Sequence, residues 1–460
     1  MSLGNWIDRE GVEVVAVLGS DLHGIARGKK VPATRLRTGG DVLRLPELVG
    51  FLDAAGYPIA PPAGDAHWWP SWAGGFPDVR AVIDESSARL VPWQEHAGLV
   101  VCDFAALDGS TRFDYLPRAT LRRVVERAAA LGFETRAACE LEFVLFAETA
   151  ETATAKEYRH LKTLWPTSQA YAMTTMGRFE PVIRALRDNL EGFGLGIESW
   201  GLEAGPGQVE MNLAGADALT AADQGFLLKH AVKEVATALG LCASFMARWA
   251  SSALGNGDHV NLSLWRDGAN AFFAPARGGR RTPLMDSFIA GVLATLDQFA
   301  AIYAPNVNAY RRFAPYQLSG MLAAWGEDNK TVAVRAVTES AARTRVECRS
   351  PGADASPHLV VAACLAGGLH GIEQGLVPPA PVRGDAYAQT GLARLPATLD
   401  EAITCFEHSA VAHEFFGADF VRLYAHSRRT ECEAFAAATR GRNLGHEVSD
   451  FELTRYFEMA

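Results

Sequence analysis

Five short segments of this chain alternate apolar residues with charged or polar ones, and this pattern strongly limits how the chain can fold. Side chains of a β-strand point to opposite faces in turn, so each segment predicts a strand with one polar face. Glu140 and Glu142, for example, share a face, while Leu141 and Phe143 lie on the other. The five segments are 139–146, 208–213, 259–264, 331–335 and 345–349. Side by side, they would form a concave wall of carboxylates, guanidinium groups and one imidazole.

The polar faces of these strands could instead be solvated edges of an antiparallel sheet. Solvated faces usually carry Lys, Thr and Ser, whereas these faces carry Glu, His and Arg. A single strand of this type fits the solvated alternative well, but five together favour one shared site. Such a wall suits divalent cations and phosphate.

The composition narrows the class of protein. The 460 residues carry a formal net charge of −10, and 21% of them are charged. An acidic chain without a Lys/Arg block argues against a nucleic-acid partner, and no apolar run reaches the roughly 18 residues of a membrane span. The first residues lack a signal pattern, and the seven cysteines form no C-x-x-C pair. We therefore expect a cytoplasmic protein with reduced thiols.

The order of predicted elements indicates an α+β protein of two domains. A chain of 460 residues exceeds one small core, and its first hundred residues read as strands and turns. Pro117 opens a helical pattern that ends at Gly132, and helices then alternate with the polar-faced strands. We place the domains at 1–112 and 113–460, the second with helices around a curved, mostly antiparallel sheet.

Six residues form the candidate metal set. Oxygen-rich ligation with a single nitrogen favours Mg²⁺ or Mn²⁺ over zinc, and six ligands exceed the need of one ion. Gathered carboxylates would repel one another unless cations lay between them. We therefore expect two divalent ions at one site. The candidate ligands are Glu140, Glu142, Glu203, Glu210, His259 and Glu347.

Four basic residues form the candidate set for anion binding and catalysis. Arg presents a planar fork to phosphate or carboxylate, whereas Lys acts as a point charge. Familiar phosphate-binding loops are absent: the segment 24–30 is glycine-rich, but its spacing and its flanking strands do not fit a P-loop. The four candidates are Arg312, Arg335, Arg349 and Lys330.

Six motifs in order resemble the glutamine synthetase family, over nearly the whole chain. They are similar to the family's patterns E-x-E-F, E…G-Q-x-E, F-M-A-K…G-S-G-x-H, N-S-Y-K-R, N-R-S/T…R and I-E-x-R-x-P. In this sequence they occupy residues 140–143, 203–210, 245–259, 308–312, 329–335 and 346–351.

The resemblance implies a fold, an assembly and a reaction. The fold would be an N-terminal β-grasp domain followed by a funnel-shaped catalytic domain. The assembly would be stacked hexameric rings, a dodecamer, with active sites between neighbouring subunits. In the reaction, the γ-carboxylate of glutamate attacks the terminal phosphate of ATP, and an amine then displaces phosphate from the acyl phosphate.

The resemblance also implies roles for individual residues. The metal on the glutamate side would be held by Glu142, Glu203, Glu210 and His259. The metal on the nucleotide side would be held by Glu140 and Glu347. Glutamate would meet Gly255, Arg312 and Arg349. The nucleotide would meet Ser263, Asn261, Lys330 and Arg335.

The departures from the family pattern bear on the amine. Leu318 stands where the family has a flap glutamate that holds ammonium, so an organic amine fits better than NH₄⁺. Asn261 replaces a usual His and Lys330 a usual Arg, while the aromatic loop 68–72 and Asp78 are candidates for substrate or subunit contact. We expect a γ-glutamylamide synthetase. The alternatives are a true glutamine synthetase, a non-catalytic relative that acts as a regulator, and a kinase that phosphorylates without forming an amide.

Overall fold

The computed structural model describes residues 2–37, 43–62, 75–109, 113–275, 280–442 and 444–460. Two main sheets, one within residues 14–106 and one within residues 134–348, are accompanied by helices, which confirms the α+β class. The aromatic loop 68–72 lies outside the described residues. None of the helices in the described part has the length and apolar character that a membrane crossing demands.

The first sheet is five-stranded and mixed, as expected for a β-grasp domain. Its strand order is β2-β1-β5-β4-β3, and the central pair β1 and β5 is parallel. A short helix, α1, precedes it at Leu3–Glu10. The strands are Val14–Ser20 (β1), Ala26–Pro32 (β2), Arg44–Pro46 (β3), Asp78–Leu90 (β4) and Ala97–Ala106 (β5).

The second sheet is curved, and its strands are mostly antiparallel. Its main path runs β15-β16-β17-β11-β6-β8-β7, with β9 and β10 paired to β6 and β12 paired to β11. The strands are Glu134–Phe146 (β6), Ile197–Leu202 (β7), Gln208–Leu213 (β8), Ala216–Asp217 (β9), Cys242–Ser244 (β10), Asp258–Arg266 (β11), Ala269–Asn270 (β12), Phe273–Ala274 (β13), Arg280–Arg281 (β14), Trp325–Glu327 (β15), Val334–Val337 (β16) and Arg345–Cys348 (β17). Strands β13 and β14 form a separate hairpin.

Helices follow and separate these strands. They are Pro117–Ala130 (α2), Ala150–Ala155 (α3), Met173–Arg178 (α4), Glu180–Gly192 (α5), Ala218–Ala238 (α6), Pro283–Thr295 (α7), Ala300–Tyr303 (α8), Pro357–Glu373 (α9), Leu399–Glu407 (α10), Ala410–Phe416 (α11), Ala418–Thr439 (α12) and Asp450–Tyr456 (α13). Among them, α2, α5, α6, α7 and α9 pack against the second sheet. Helix α9 is apolar on all sides because α2, α6 and α7 surround it. This packing fixes the back of the sheet, so its concave side is free to carry polar groups.

One predicted strand starts later than the sequence pattern suggests. The segment 331–335 reads as a strand, but β16 begins only at Val334. The Asn329 side chain accepts hydrogen bonds from the Thr331 N–H (2.9 Å) and the Thr331 hydroxyl (2.7 Å). Asn side chains stabilise turns in this way, so the first residues of the segment form a turn.

Arg118 joins the two sheets through a buried group of charges, which we call the Arg118 cluster. Its guanidinium donates to Asp84 on β4 (2.6 Å), to Asp103 on β5 (3.2 Å) and to Asp223 on α6 (2.9 Å). His358 at the start of α9 lies 2.8 Å from Asp223. The cluster therefore fixes the first sheet to the helices behind the second. The domain boundary at 112/113 stays a prediction.

Candidate active site

The polar faces of four strands come together on the concave side of the second sheet, in what we call the acidic wall. The register places His259 opposite Glu140, and Glu142 opposite Glu210. On the other side of β11, Asn261 lies opposite Glu347. Residues that lie opposite each other on paired strands have Cβ atoms close together, so the side chains of each of these pairs are neighbours.

Three of the six predicted ligands form a compact group. Ligand atoms of Glu140, His259 and Glu347 all lie within 4.8 Å of one another. His259 Nδ1 is 3.1 Å from Glu140 Oε1 and 3.9 Å from Glu347 Oε1. The resemblance groups His259 with Glu142, Glu203 and Glu210, and that assignment stays a prediction, while the register places His259 opposite Glu140. Strand parity predicts which face a residue occupies, but the register across strands decides its neighbours.

The other three ligands lie at the β7–β8 end of the wall. Burial, and then the nearby Glu203, raise the pKa of Glu142 to about 8. Burial, and then Glu140, raise the pKa of Glu210 to about 7. The pKa of Glu203 is also raised, by burial first and by Glu210 second. The positive charges of the protein therefore do not offset burial and mutual repulsion among these three carboxyls.

At the opposite end of the wall, arginines balance the negative charge of the carboxylate. Burial alone would raise the pKa of Glu347, but Arg349 above all holds it at about 2. Arg349 donates a short hydrogen bond to Glu347, and Arg335 Nη1 donates to its other oxygen at 2.8 Å. Burial lowers the pKa of His259 far below its ordinary value, with Arg349 as the next cause. The neutral imidazole is therefore available as a metal ligand.

The donor set fits divalent cations. Five carboxylates and one neutral imidazole line one concave surface, and at least three have raised pKa values from burial and mutual repulsion. A cation between such groups removes the repulsion and returns the carboxyls to their charged form. The oxygen-rich set matches Mg²⁺ or Mn²⁺.

The anion-binding candidates lie beside the wall. Arg335 is held between Glu347 and Asp328, whose Oδ1 accepts from Arg335 Nε at 3.0 Å. Lys330 is exposed in the preceding turn, and its charge opposes the raised pKa of Glu140. Asp328 was missed in the sequence because it sits in a turn, outside the strand pattern.

Arg312 is buried beneath the wall and fixed by backbone carbonyls. Its Nη1 donates to Ser350 O at 2.8 Å and its Nη2 donates to Arg349 O at 3.1 Å. Gly255 approaches it closely: a Cβ at this glycine would lie 2.6 Å from Arg312 Cγ and 2.8 Å from Ala247 O. Only glycine fits there, so the predicted pair of Gly255 and Arg312 shares one corner of the site.

Two buried amides, those of Gln208 and Asn256, lie under the wall. Gln208 Nε2 donates to Asn256 Oδ1 at 2.9 Å and to Gly255 O at 3.0 Å. The Gly257 N–H donates to Glu142 Oε2 at 2.7 Å. Hydrogen bonds of this kind fix the orientation of carboxylates that bind metals. The G-N-G run that leads into β11 was the signal for this close approach.

Tyr171 is a further residue that the sequence pattern did not reveal. Its ring is 68% exposed, and its backbone N–H donates to Leu202 O at the end of β7 (3.0 Å). The charge of Glu203, ahead of partial burial, raises the pKa of its phenol. Tyr171 therefore faces the carboxylates from a loop, where no periodicity marks it.

A cavity of about 470 Å³ opens beside the wall, between β6, β11 and the residues before β17. The two predicted nucleotide contacts on β11, Asn261 and Ser263, line it. Asn261 Oδ1 accepts from Arg345 Nε at 2.8 Å, and Ser263 Oγ accepts from Trp265 Nε1 at 2.9 Å. Arg136 lies 3.7 Å above the Trp265 ring. Such a flat, cationic lining suits a ring system that carries phosphates.

The segment 314–320, which we call the flap, crosses the arginine side of the site. Leu318, at the position of the family's acidic residue, is 43% exposed and has a φ of 51°. Gly320 has a φ of 63°, and a Cβ there would lie 2.7 Å from the Arg349 carbonyl carbon, so this position requires glycine. The Gly320 carbonyl accepts from Ser350 Oγ at 2.8 Å, which ties the flap to the end of β17.

The comparisons with known proteins agree with this geometry. The glutamine synthetase catalytic domain matches residues 114–454. A glutamate–isopropylamine ligase from Pseudomonas sp. is 32% identical over 464 residues, covering 100% of this chain and 98% of the relative. A gamma-glutamylethanolamide synthetase from Streptomyces coelicolor is 38% identical over 395 residues, covering 86% and 82%.

Solved structures show the same similarity. The GmaS/ADP complex superposes with a TM-score of 0.79 at 27% identity, covering 96% of this chain and 97% of that one. Fold and site together define an enzyme of the ATP-dependent carboxylate–amine ligase class. The chain belongs to the glutamine synthetase family, and its similar relatives include amide synthetases that use organic amines.

Proposed function

We propose that this chain joins the γ-carboxylate of glutamate to an organic amine through a γ-glutamyl phosphate, with conversion of ATP to ADP and phosphate. The observation that carries the proposal is the acidic wall beside a flap with Leu318 at its tip. The wall has the donors for ATP-bound cations, and the flap lacks the carboxylate that suits ammonium.

The reaction has two steps that atoms of the site can support. In the first, a γ-carboxylate oxygen of glutamate attacks the terminal phosphorus of ATP, and the bond to the ADP oxygen breaks. In the second, the amine nitrogen attacks the acyl carbon and phosphate leaves, taking up the proton lost by nitrogen. Positioning and charge neutralisation supply most of the catalysis in such transfers.

We assign roles to the residues from their placement. Arg335, Arg349 and Lys330 would neutralise the transferred phosphoryl group, while Arg312 and Gly255 would hold the amino-acid part of glutamate. Asn261 and Ser263 would contact the nucleotide in the adjoining cavity.

The metal ligands divide into two groups in this proposal. Glu140, His259 and Glu347 would hold one divalent cation, and Glu142, Glu203 and Glu210 the other. The bound cations, Mg²⁺ or Mn²⁺, would neutralise charge on the phosphates of ATP. The Gly257 N–H and the Gln208 side chain donate hydrogen bonds to Glu142 and keep that carboxylate in place.

The test is a panel of amines with the full chain, ATP, Mg²⁺ and glutamate, followed by mass spectrometry of the products. We expect a γ-glutamylamide with at least one organic amine, together with one ADP per amide. Glu140→Gln serves as the inactive control. Absence of any amide across the panel, or phosphorylation without amide, would refute the proposal.

Glutamine synthesis from ammonium is the second candidate, and the flap decides between the two. Leu318→Glu restores a carboxylate at the flap, so we expect it to improve turnover with ammonium relative to an organic amine. Leu318→Gln, which is similar in size but uncharged, is the matched control. If the wild type already uses low ammonium more efficiently than any organic amine, the chain is a glutamine synthetase.

We also propose that the chain assembles into hexameric rings stacked as a dodecamer in the cytoplasm, with neighbouring subunits completing each active site. The family resemblance supports this assembly. Mass photometry of the purified protein tests it directly: a mass near that of one 49.5 kDa chain would rule out shared sites.

A further inference from the structure

Two tyrosines contact each other at the flap, one on the flap itself and one in a turn beside it. Tyr316 lies on the flap, and Tyr387 lies in the short helical turn Ala386–Ala388. Their ring centroids are 5.0 Å apart, and the ring planes are inclined by 40°. Tyr316 is 67% exposed, and Leu318 beside it is also exposed. The flap therefore presents an apolar and aromatic surface that the described part of the chain does not cover.

This surface adjoins the groups assigned to the transferred phosphoryl group. Burial raises the pKa of Tyr387, and the neighbouring backbone of Leu318 opposes that shift. The positive charges of Arg349 and Arg312 oppose it as well, so both guanidinium groups act on the phenol. The inner end of the flap is anchored, because Ser319 O accepts from Arg312 Nη1 at 3.3 Å. A molecule held against the tyrosines would thus lie next to the reacting groups.

Several polar atoms around the flap are buried without a hydrogen-bond partner among the described residues. They are Ser319 Oγ, Gln317 Oε1 and Arg349 Nε. Buried polar atoms are nearly always paired, so these atoms beside the flap are available to a bound molecule. The acceptors among them are neutral, and they suit the N–H groups of an uncharged amine about to attack.

We propose that the Tyr316–Tyr387 pair and Leu318 form the wall against which the substituent of the amine packs, so that the enzyme selects primary amines with a small, uncharged, apolar substituent. This inference rests on the proposed function and names its substrate class. Aromatic rings bind alkyl groups through apolar contact, and the flap offers such contact beside the site of attack.

The charges near the flap disfavour an amine with a second ammonium group. Arg312 donates to Ser319 O of the flap at 3.3 Å and to the Arg349 carbonyl at 3.1 Å, so a further cation there would meet two guanidinium groups. The Asp385 carboxylate accepts the Tyr387 N–H at 2.8 Å and caps the turn. A diamine would therefore place its distal charge in an unfavourable field.

Two amines of equal length test the charge preference: n-butylamine and putrescine, which differ in the terminal ammonium. We expect the wild-type kcat/KM to be at least about tenfold higher for n-butylamine than for putrescine. The reason is that the distal ammonium of putrescine would lie near two guanidinium groups of like charge. A preference for putrescine would overturn the inference.

Variants of the tyrosines test the wall itself. Tyr316→Ala and Tyr387→Ala should each raise KM for n-butylamine by about tenfold, as expected for loss of a packed ring, and leave KM for glutamate and ATP unchanged. Tyr387→Phe keeps the ring and should keep the n-butylamine preference. Tyr57→Ala removes an equally exposed ring (70%) from the N-terminal part of the chain and serves as the matched control.

The outcomes separate this inference from the proposed function. If the wild type forms no γ-glutamylamide with any amine, the proposed function fails. If the wild type is active but Tyr316→Ala leaves KM for the amine unchanged, only the wall is refuted. Equal increases in KM for glutamate and amine would mean that the pair only supports the flap. Tyr316 is exposed, so its variant remains informative even where Tyr387→Ala fails to fold.

Discussion

Two groups of carboxylates among the described residues differ in their charge balance: the acidic wall and the Arg118 cluster between the two sheets. In the Arg118 cluster, one guanidinium contacts three aspartates, and Arg118 and His358 outweigh burial so that the pKa of Asp223 falls to about 2. In the acidic wall, burial and neighbouring carboxyls instead raise the pKa of Glu142 to about 8. The protein's own cations outweigh burial at Asp223 but not at Glu142.

This difference separates a structural use of charge from a functional one. A buried ion pair that is complete within the chain fixes how elements pack. A buried group of like charges is unfavourable alone and becomes favourable when cations bind, so the chain retains it where chemistry needs those cations. The following experiments test this comparison, from the largest expected effect to the smallest.

Removing one ligand of the wall should abolish activity without harming the fold. We expect Glu142→Gln to reduce kcat by on the order of 10³-fold, since charge stabilisation by a bound cation supplies several kcal/mol. Stability of the metal-free protein should stay constant or rise, because the change removes repulsion with Glu203. Steady-state kinetics and urea denaturation in EDTA measure the two effects. Lower metal-free stability would contradict the account.

Removing Arg118, the cation of the Arg118 cluster, should lower the stability of the fold. We expect Arg118→Met to lower the free energy of unfolding by about 3–5 kcal/mol, because Asp223 and Asp103 lose a buried partner for their charge. Mg²⁺ should not restore this loss. Arg159→Met, which removes a surface pair with Asp450, should cost about 1 kcal/mol or less. Similar losses in both variants would contradict a structural role for the Arg118 cluster.

The two clusters should also give stability opposite dependences on pH. Glu142 and Glu210 keep their protons in the folded protein after the unfolded chain has lost them, so metal-free stability should fall from about pH 4.5 to about pH 8. Asp223 contributes stability above its unfolded pKa near 3.8, and that part should disappear as pH falls toward 2.

Urea denaturation across pH, with EDTA or with Mg²⁺, measures both trends. Saturating Mg²⁺ should remove the decline between about pH 4.5 and 8, because bound cations keep the carboxyls charged in the folded state. It should not change the loss of stability at low pH. A decline that persists in Mg²⁺ would show that the wall is not where the cation binds.

The smallest expected effect comes from a group that only orients a ligand. Asn212 Nδ2 donates to Glu210 Oε1 at 3.0 Å, so Asn212→Leu should weaken Mg²⁺ binding by about tenfold. Global stability should change little, since the residue is only partly buried. Isothermal titration of Mg²⁺ into the wild type and the variant gives the ratio. An unchanged affinity would show that Glu210 needs no such support.

The alternation of polar and apolar residues predicted four of the five strands of the site and the α+β class. It failed at 331–335, where the Asn329 side chain stabilises a turn. It did not show which carboxylates lie nearest His259, because the neighbour across two strands depends on register. Tyr171 and Tyr387 could not be found from the sequence pattern, since each reaches the site from a loop placed by distant contacts.

The central claim is that the acidic wall holds two divalent cations. Anomalous diffraction from crystals of the full chain grown with Mn²⁺ and an ATP analogue tests it most directly. The account predicts two peaks per chain, one among Glu140, His259 and Glu347 and the other among Glu142, Glu203 and Glu210. Absence of manganese from the wall, or peaks only elsewhere in the protein, would contradict it.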